Sequence, residues 1–273
     1  MTTIVAAHAP RETRHVRRVV DQATELALRS IRNTARQPQS WIPGLVFPLM
    51  LTAVYTAQFA KAIRQPGFPP VDSYLDFVLP ASILQTVAFG ATGGGTDFAV
   101  DIENGFFDRL VSSPVSRVSI LVGRLAGSAV FAGAQAIVLI AVFVAFGVRL
   151  QGGVGAAAVL VVSAVCLALA IGALGLVLAL RTSSQEAVQS TFPVIFVLLF
   201  VSSAFWPTTL MKGWYRSAAR HNPITLIIDP VRRLVIEDWS WSDAGQALGI
   251  TVALAVVTTA LAFLTLRQRL RSL

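Results

Sequence analysis

Charge is what this chain has least of. Asp, Glu, Lys and Arg make up only 13% of its 273 residues, about half the quarter typical of soluble domains. The shortage is uneven. Residues 37–60, 77–96, 125–148, 150–180, 187–211 and 244–266 contain no charged side chain at all. Each stretch reaches the ~20 mostly apolar residues that a helix needs to cross a bilayer. The alternating ~10-residue segments of an outer-membrane barrel are missing. Lysine is almost absent, with only Lys61 and Lys212. They follow Ala60 and Met211, so neither completes the Gly-x-x-x-x-Gly-Lys-[Ser/Thr] loop that cradles nucleotide phosphates. The Gly-rich run Gly90–Asp97 lacks the lysine and follows an apolar span, which reads as a flexible or closely packed helix exit. Cysteine occurs once, at Cys166. That excludes an internal disulfide and a Cys-rich metal site, and leaves a small packing residue. His8, His15 and His221 are scattered outside the spans, with no nucleophile motif and no metal-ligand spacing. The expectation is no catalytic residue, no metal and no cofactor in this chain.

What is present defines an all-α membrane protein of one domain over 1–273. Six transmembrane helices are expected at about 42–60, 77–97, 119–147, 155–180, 188–206 and 244–266. Residues 12–36 place Val16, Val19, Val20, Ala23, Leu26, Ala27 and Ile31 at three- and four-residue steps, mostly opposite Arg14, Arg17, Arg18, Arg29 and Arg32. That pattern describes an amphipathic helix at a membrane surface, with arginines near lipid headgroups. It also fits a soluble surface helix. The first 36 residues are too polar for the apolar core of a secretory leader. In span 3, Gly123-x-x-x-Gly127 is a spacing that lets helices approach closely.

Six spans put both termini on one side, and basic residues set which side. With the termini inside, the inner segments hold fourteen Arg and the outer segments hold eight Arg and Lys. The net charge of +8 therefore sorts by membrane face and does not form a nucleic-acid stripe. The expected location is a bacterial cytoplasmic membrane, with both termini cytoplasmic. The outer loop 207–243 is exceptional. It mixes aliphatics with Arg216, Arg220, Arg232, Arg233 and four acids. Such content predicts short interfacial helices whose arginines pair or snorkel, so removing Arg232 or Arg233 should have only a moderate effect. Trp206, Trp214, Trp239 and Trp241 fit an interfacial aromatic belt.

The most informative segment is Asp101-Ile-Glu-Asn-Gly-Phe-Phe-Asp-Arg-Leu-Val-Ser-Ser-Pro-Val-Ser-Arg117. It is longer and more charged than a turn between spans needs, and it ends in a Ser-Pro helix-entry signal. By itself it fits a solvated loop or a short docked helix. Its acidic-x-Glu-x-Gly, acidic-Arg-Leu, Ser-Pro order resembles the cytoplasmic coupling segment of ABC-2 type transporter permeases. Phe205-Trp206-Pro207, Trp214, Asn222-Pro223-Ile224-Thr225, Asp229 and Arg232 resemble the later part of the same pattern, in particular the daunorubicin-resistance branch. Phe106 departs from the Thr or Ser often found there.

The resemblance implies the membrane subunit of an ATP-driven exporter that moves amphipathic drugs or lipids. ATP and Mg would be bound by a separate cytosolic ATPase, and a second copy or sister permease would complete the complex. It implies that Glu103, Gly105, Asp108, Arg109, Leu110, Pro114, Ser116 and Arg117 couple to the ATPase, the charges as polar contacts and Leu110 and Val111 as buried ones. Polysaccharide or glycolipid export is the alternative within the family, and an ATPase-linked membrane scaffold the alternative outside it. Within the spans, Phe192, Phe196 and Phe200 recur every four residues, either as a packing stripe or as a wall of a substrate path. Phe89, Tyr55, Gln58 and Gln85 are further path candidates. Interhelical hydrogen bonding is the plainer role for the glutamines.

Overall fold

The computed structural model describes residues 11–112 and 116–271. Among these, regular structure is helical and no strand occurs. The helices are α1 (Arg11–Ala35), α2 (Pro38–Gln58), α3 (Tyr74–Glu103), α4 (Phe106–Ser112), α5 (Arg117–Ala145), α6 (Gly153–Thr182), α7 (Gln185–Gln189), α8 (Thr191–Phe200), α9 (Gly213–His221), α10 (Pro223–Ile236) and α11 (Trp241–Arg269). Among the described residues five helices are long and apolar enough to cross a membrane: α2, α3, α5, α6 and α11. The expected span at 188–206 corresponds to α7 and α8, a shorter apolar stretch over Gln185–Phe200. Its helix stops at Phe200, and 201–206 form turns and bends in which Ser202, Ser203 and Ala204 are buried.

α3 is the axis of the fold. Ser73 starts it with a reciprocal cap: its hydroxyl accepts from Leu75 N–H at 3.2 Å, while Ser73 N–H donates to Asp76 Oδ2 at 2.8 Å. Two orphan donors of the first turn are satisfied this way. From Phe77 to Phe89 every residue is buried, as a helix surrounded by neighbours requires. α6 crosses it at a contact only glycine permits. A methyl group on Gly95 would stand 2.8 Å from the Gly175 Cα. That is the role anticipated for the Gly-rich run, but the run is not a helix exit. α3 continues unbroken to Glu103 and so carries Asp97 and Asp101 within it. Gly127 of α5 is the matching feature for α1, whose Ser30 side chain would meet an added methyl at 2.7 Å. α1 thus lies along α5.

Where α2 packs on α3, Thr52 Oγ1 meets Ser82 Oγ at 2.5 Å and the Phe47 and Phe89 rings lie 6.3 Å apart. The other faces of α2 leave Ile42, Val46, Met50 and Val54 exposed, which is apolar surface that water does not tolerate over such an area. Three apolar clusters fill the bundle, the smallest of them around Tyr74, Phe77 and Val78 at the start of α3. Of the other two, the larger runs through the middle and far end. The smaller, at the α4 end, joins Phe98, Ile102, Phe107, Leu121, Leu176, Leu180, Val188 and Leu266.

Candidate functional site

At the end of α3 the chain must reverse within two residues. Asn104 closes the helix, and Gly105 takes φ 67°, where a side chain would be strained. α4 follows at once. Its first turn buries Phe107 completely, edge-on to Phe98 at 5.5 Å between ring centroids. Leu110 and Val111 are half-buried on the same core. Asp108 and Arg109 project on the opposite side and are exposed. So α4 is anchored by its aromatic root and offers its charges outward. The expected buried pair, Leu110 and Val111, is secondary to Phe107, which the sequence pattern did not single out.

Glu103 is exposed and also reaches a neighbouring element. Its Oε1 accepts the Gln185 N–H at 2.7 Å. It therefore caps the start of α7, where a helix welcomes negative charge. The neighbouring turn is fastened from α11. Arg269 Nη1 donates to Leu180 O at 2.5 Å and to Ser183 Oγ at 2.8 Å, and the guanidinium lies 5.6 Å from the Phe107 ring centroid. Ser183 adopts φ 52°, unusual for a residue with a side chain. Ser184 caps α7 and donates to Glu186 Oε2, which lowers the Glu186 carboxyl below its ordinary value. One knot thus joins α4, the ends of α3, α6 and α11, and the start of α7. On the other flank, Arg29 of α1 sits over the Phe106 ring at 4.2 Å, and Gln22 accepts the Ser116 N–H at 3.0 Å. Pro114 and the side chain of Arg117 fall outside the described residues.

The path candidates separate into three groups. Phe89, Phe192, Phe196 and Phe200 form one aromatic ladder, with centroids 4.7 Å apart from Phe89 to Phe192 and 4.4 Å from Phe196 to Phe200. It continues through Phe205, 5.3 Å from Phe200, to Tyr55, 4.7 Å from Phe205. Phe205 was not among the expected path residues. Beside the ladder an apolar groove of about 490 Å³ opens between α2, α3 and α8, lined by Phe47, Phe89, Phe192 and Phe196. Gln58 lies outside this arrangement, exposed at the end of α2. Gln85 is wholly buried, and neither amide atom finds a partner. It makes none of the interhelical hydrogen bonds expected of it.

At the far end of the bundle lies the arrangement that the sequence disguised most. Arg232 is only 4% exposed. Its Nε donates to Phe77 O at 2.9 Å, Nη1 to Asp229 Oδ1 at 3.0 Å, and Nη2 to Ser203 O and Ala204 O at 2.7 and 3.2 Å. The guanidinium also covers the Phe77 ring at 3.8 Å. Burial pulls its pKa down to about 10, with Asp229 and Tyr74 opposing, so it stays charged at neutral pH. Neither snorkelling nor simple pairing describes it. Arg233 does pair as expected, with Nε 2.7 Å from Asp243 Oδ1. Among the described residues no group of His, Cys, Asp and Glu could hold a metal ion.

The model of the family described as ABC-2 family transporter protein matches residues 13–264. A daunorubicin resistance ABC transporter permease of Streptomyces coeruleorubidus is 29% identical over 218 residues, covering 78% of this chain and 73% of that protein. A Cyanophora paradoxa chain named as a transport permease is 27% identical over 252 residues, 87% of this chain and 85% of its own length. A Mycobacterium tuberculosis permease named for doxorubicin resistance is 28% identical over 156 residues, 55% of this chain and 56% of its own.

Proposed function

The chain belongs to the ABC-2 transporter family, and from that premise we propose how it works as the membrane subunit of an ABC exporter. Permeases of this kind leave ATP hydrolysis to a separate cytosolic subunit. In the orientation we propose, both termini and α4 face the cytoplasm of a bacterial inner membrane, and α9 and α10 lie at the outer interface. α7 and α8 supply a sixth crossing, too short alone and completed by the turn 201–206. Cargo is an amphipathic drug or lipid, and a second permease copy or a sister subunit covers the exposed face of α2.

One observation carries the coupling mechanism: α4 is a separate seven-residue helix rooted on buried Phe107 and exposing Asp108 and Arg109. We assign those two as the docking contacts for the ATPase, with Leu110 beside them and Gly105 supplying the reversal. Pro114, Ser116 and Arg117 lead the chain back into α5. Glu103 is given an inward task. When the ATPases close, a displacement of α4 pulls on Gln185 through Glu103 and on the α6 turn through Phe107 and Arg269. Both end at α7, directly below α8 and the aromatic ladder. Phe89, Phe192, Phe196, Phe200 and Tyr55 then serve as a path that takes cargo by apolar area and ring stacking. Gln58 and Gln85 have no part in that path.

The test is Arg109→Ala in lipid nanodiscs, reading co-purified ATPase and its hydrolysis rate. Truncating one partner of a docked charge pair costs about 2–5 kcal/mol, so association should fall at least ~10-fold. ATPase retained at the unmodified level, with normal stimulation by cargo, would return α4 to an ordinary loop.

A further inference from the structure

A cavity of about 390 Å³ lies between α1, α3, α4 and α5 at the inner end of the bundle. Four charged groups line it: Arg29 from α1, Asp97 and Asp101 from α3, and Arg124 from α5. Two are committed to each other, since Arg124 Nη2 meets Asp101 Oδ2 at 2.5 Å. The other two are not. Asp97 makes no hydrogen bond or ion pair among the described residues, although Arg124 is within electrostatic reach of it. Arg29 rests on the face of Phe106 and has no carboxylate partner among them. The carboxylate belongs to a helix that crosses the membrane, where an unpaired ion is costly and calls for a counter-charge. Arg29 belongs to the helix that roofs the cavity. The rest of the lining is mixed: Leu26, Phe98, Leu110 and Ile120 supply apolar walls, and Ser30 and Gln37 supply uncharged polar groups.

We infer that this cavity binds the headgroup of a zwitterionic, amine-bearing phospholipid, an ethanolamine phosphoester. Its ammonium pairs with Asp97 and its phosphate with Arg29, aided by the Ser30 hydroxyl. The cavity's own charges sum to zero, so it suits a net-neutral ligand that carries both signs. A purely anionic headgroup would satisfy Arg29 but stand against two carboxylates. A purely cationic amphiphile would satisfy Asp97 and stand against two guanidiniums. The ammonium donates charge-assisted hydrogen bonds to a carboxylate, which a fully methylated choline cannot. The apolar walls take the glycerol end, and the acyl chains run into the bilayer beneath α1. The bound lipid then bridges α1 to α3 beside α4. This site uses the membrane orientation proposed above but not the coupling to an ATPase.

The full chain in nanodiscs of mixed ethanolamine, choline and glycerol phospholipids provides the test, with retained lipid read by native mass spectrometry. Ethanolamine lipid should be retained over choline lipid, and retention should fall stepwise along the N-methyl and N,N-dimethyl series on the unmodified protein. Asp97→Asn should abolish that preference, a change of about tenfold or more, and Asp97→Glu should restore it. Arg29→Gln should weaken ethanolamine and choline lipids alike. Preferential retention of the anionic glycerol lipid, or an ethanolamine preference that survives Asp97→Asn, overturns the assignment. Water-soluble O-phosphoethanolamine is the control for the headgroup alone; binding equal to that of the diacyl lipid would also overturn it. These readouts need no ATPase, so they stand or fall apart from the co-purification of the Arg109 variant.

Discussion

The two ends of the bundle handle charge in opposite ways. At the α10 end Arg232 is sealed in, its donors spent on Phe77, Asp229, Ser203 and Ala204. At the α4 end Asp108 and Arg109 stand in the open on a helix rooted by one aromatic ring. Their neighbours Glu103 and Arg269 reach across gaps between elements and add contacts to helix ends, Glu103 beside the Ser184 cap of α7 and Arg269 at the Leu180–Ser183 turn. A buried and satisfied ion fixes one arrangement and tolerates no substitute. Exposed ions leave an end free to be gripped and moved. The molecule thus has one end with its ion sealed and one with its ions open, which is the division of labour that the proposed coupling role asks for.

The contrast can be broken most directly at Arg232. Arg232→Met strands Asp229 and three carbonyl oxygens, and should cost about 3–5 kcal/mol, seen as a large fall in thermal stability in detergent. Lysine should not restore it, because a point charge cannot serve the guanidinium's spread of acceptors. Near-normal melting of either variant would show that the α10 end is not sealed. At the α4 end Arg109→Ala should shift stability by no more than about 0.5 kcal/mol, with its loss confined to the proposed ATPase coupling; unfolding comparable to the Arg232 variant would erase the distinction between the ends. Between them, Gly95→Ala forces a methyl against Gly175 and should destabilise by about 1–3 kcal/mol, measurable as weaker retention of folded protein on heating. Arg233→Ala removes a partly exposed pair with Asp243 and should cost no more than about 1 kcal/mol; a larger effect would move Arg233 into the same sealed network. Smallest is Gln85→Leu. It deletes a buried amide with no partner and should leave melting unchanged or raised, with transport intact. Loss of transport in that variant would return Gln85 to the path.

Much of this was legible in the sequence, because a bilayer writes its demands there in plain form. Runs without charge located α2, α3, α5, α6 and α11, and the three- and four-residue apolar steps located α1. The reading stumbled where a charge sits within a helix or a helix stops within an apolar run. Asp97 looked like the end of span 2, yet α3 continues, because Arg124 waits on α5 to pair with Asp101. The run 188–206 looked like one span, yet it turns after Phe200, where Arg232 gathers carbonyls from residues well before it in the chain. Both facts depend on partners that adjacency cannot reveal. The second contact of Glu103 was hidden in the same way: the resemblance placed it among the coupling charges, and nothing in the sequence shows that one of its oxygens accepts from an amide on a different helix. Phe107 was hidden for a simpler reason, since any aromatic in a charged insert could face either way.

The packing of α1 on α5, Ser30 against Gly127, also constrains how the chain is made. α1 is synthesised first, and the surface it occupies does not exist until α2, α3 and α4 have followed. During that interval it needs somewhere to wait that is neither water nor the bilayer interior. An arginine-studded, one-sided apolar helix is suited to rest on a membrane face, and such a pattern would serve assembly before it serves the finished molecule. A cysteine at position 30 should therefore react with a water-soluble thiol reagent in chains arrested before α5 and become protected once α5 is in place. Protection already present in the shorter chains would mean that α1 finds its seat by another route.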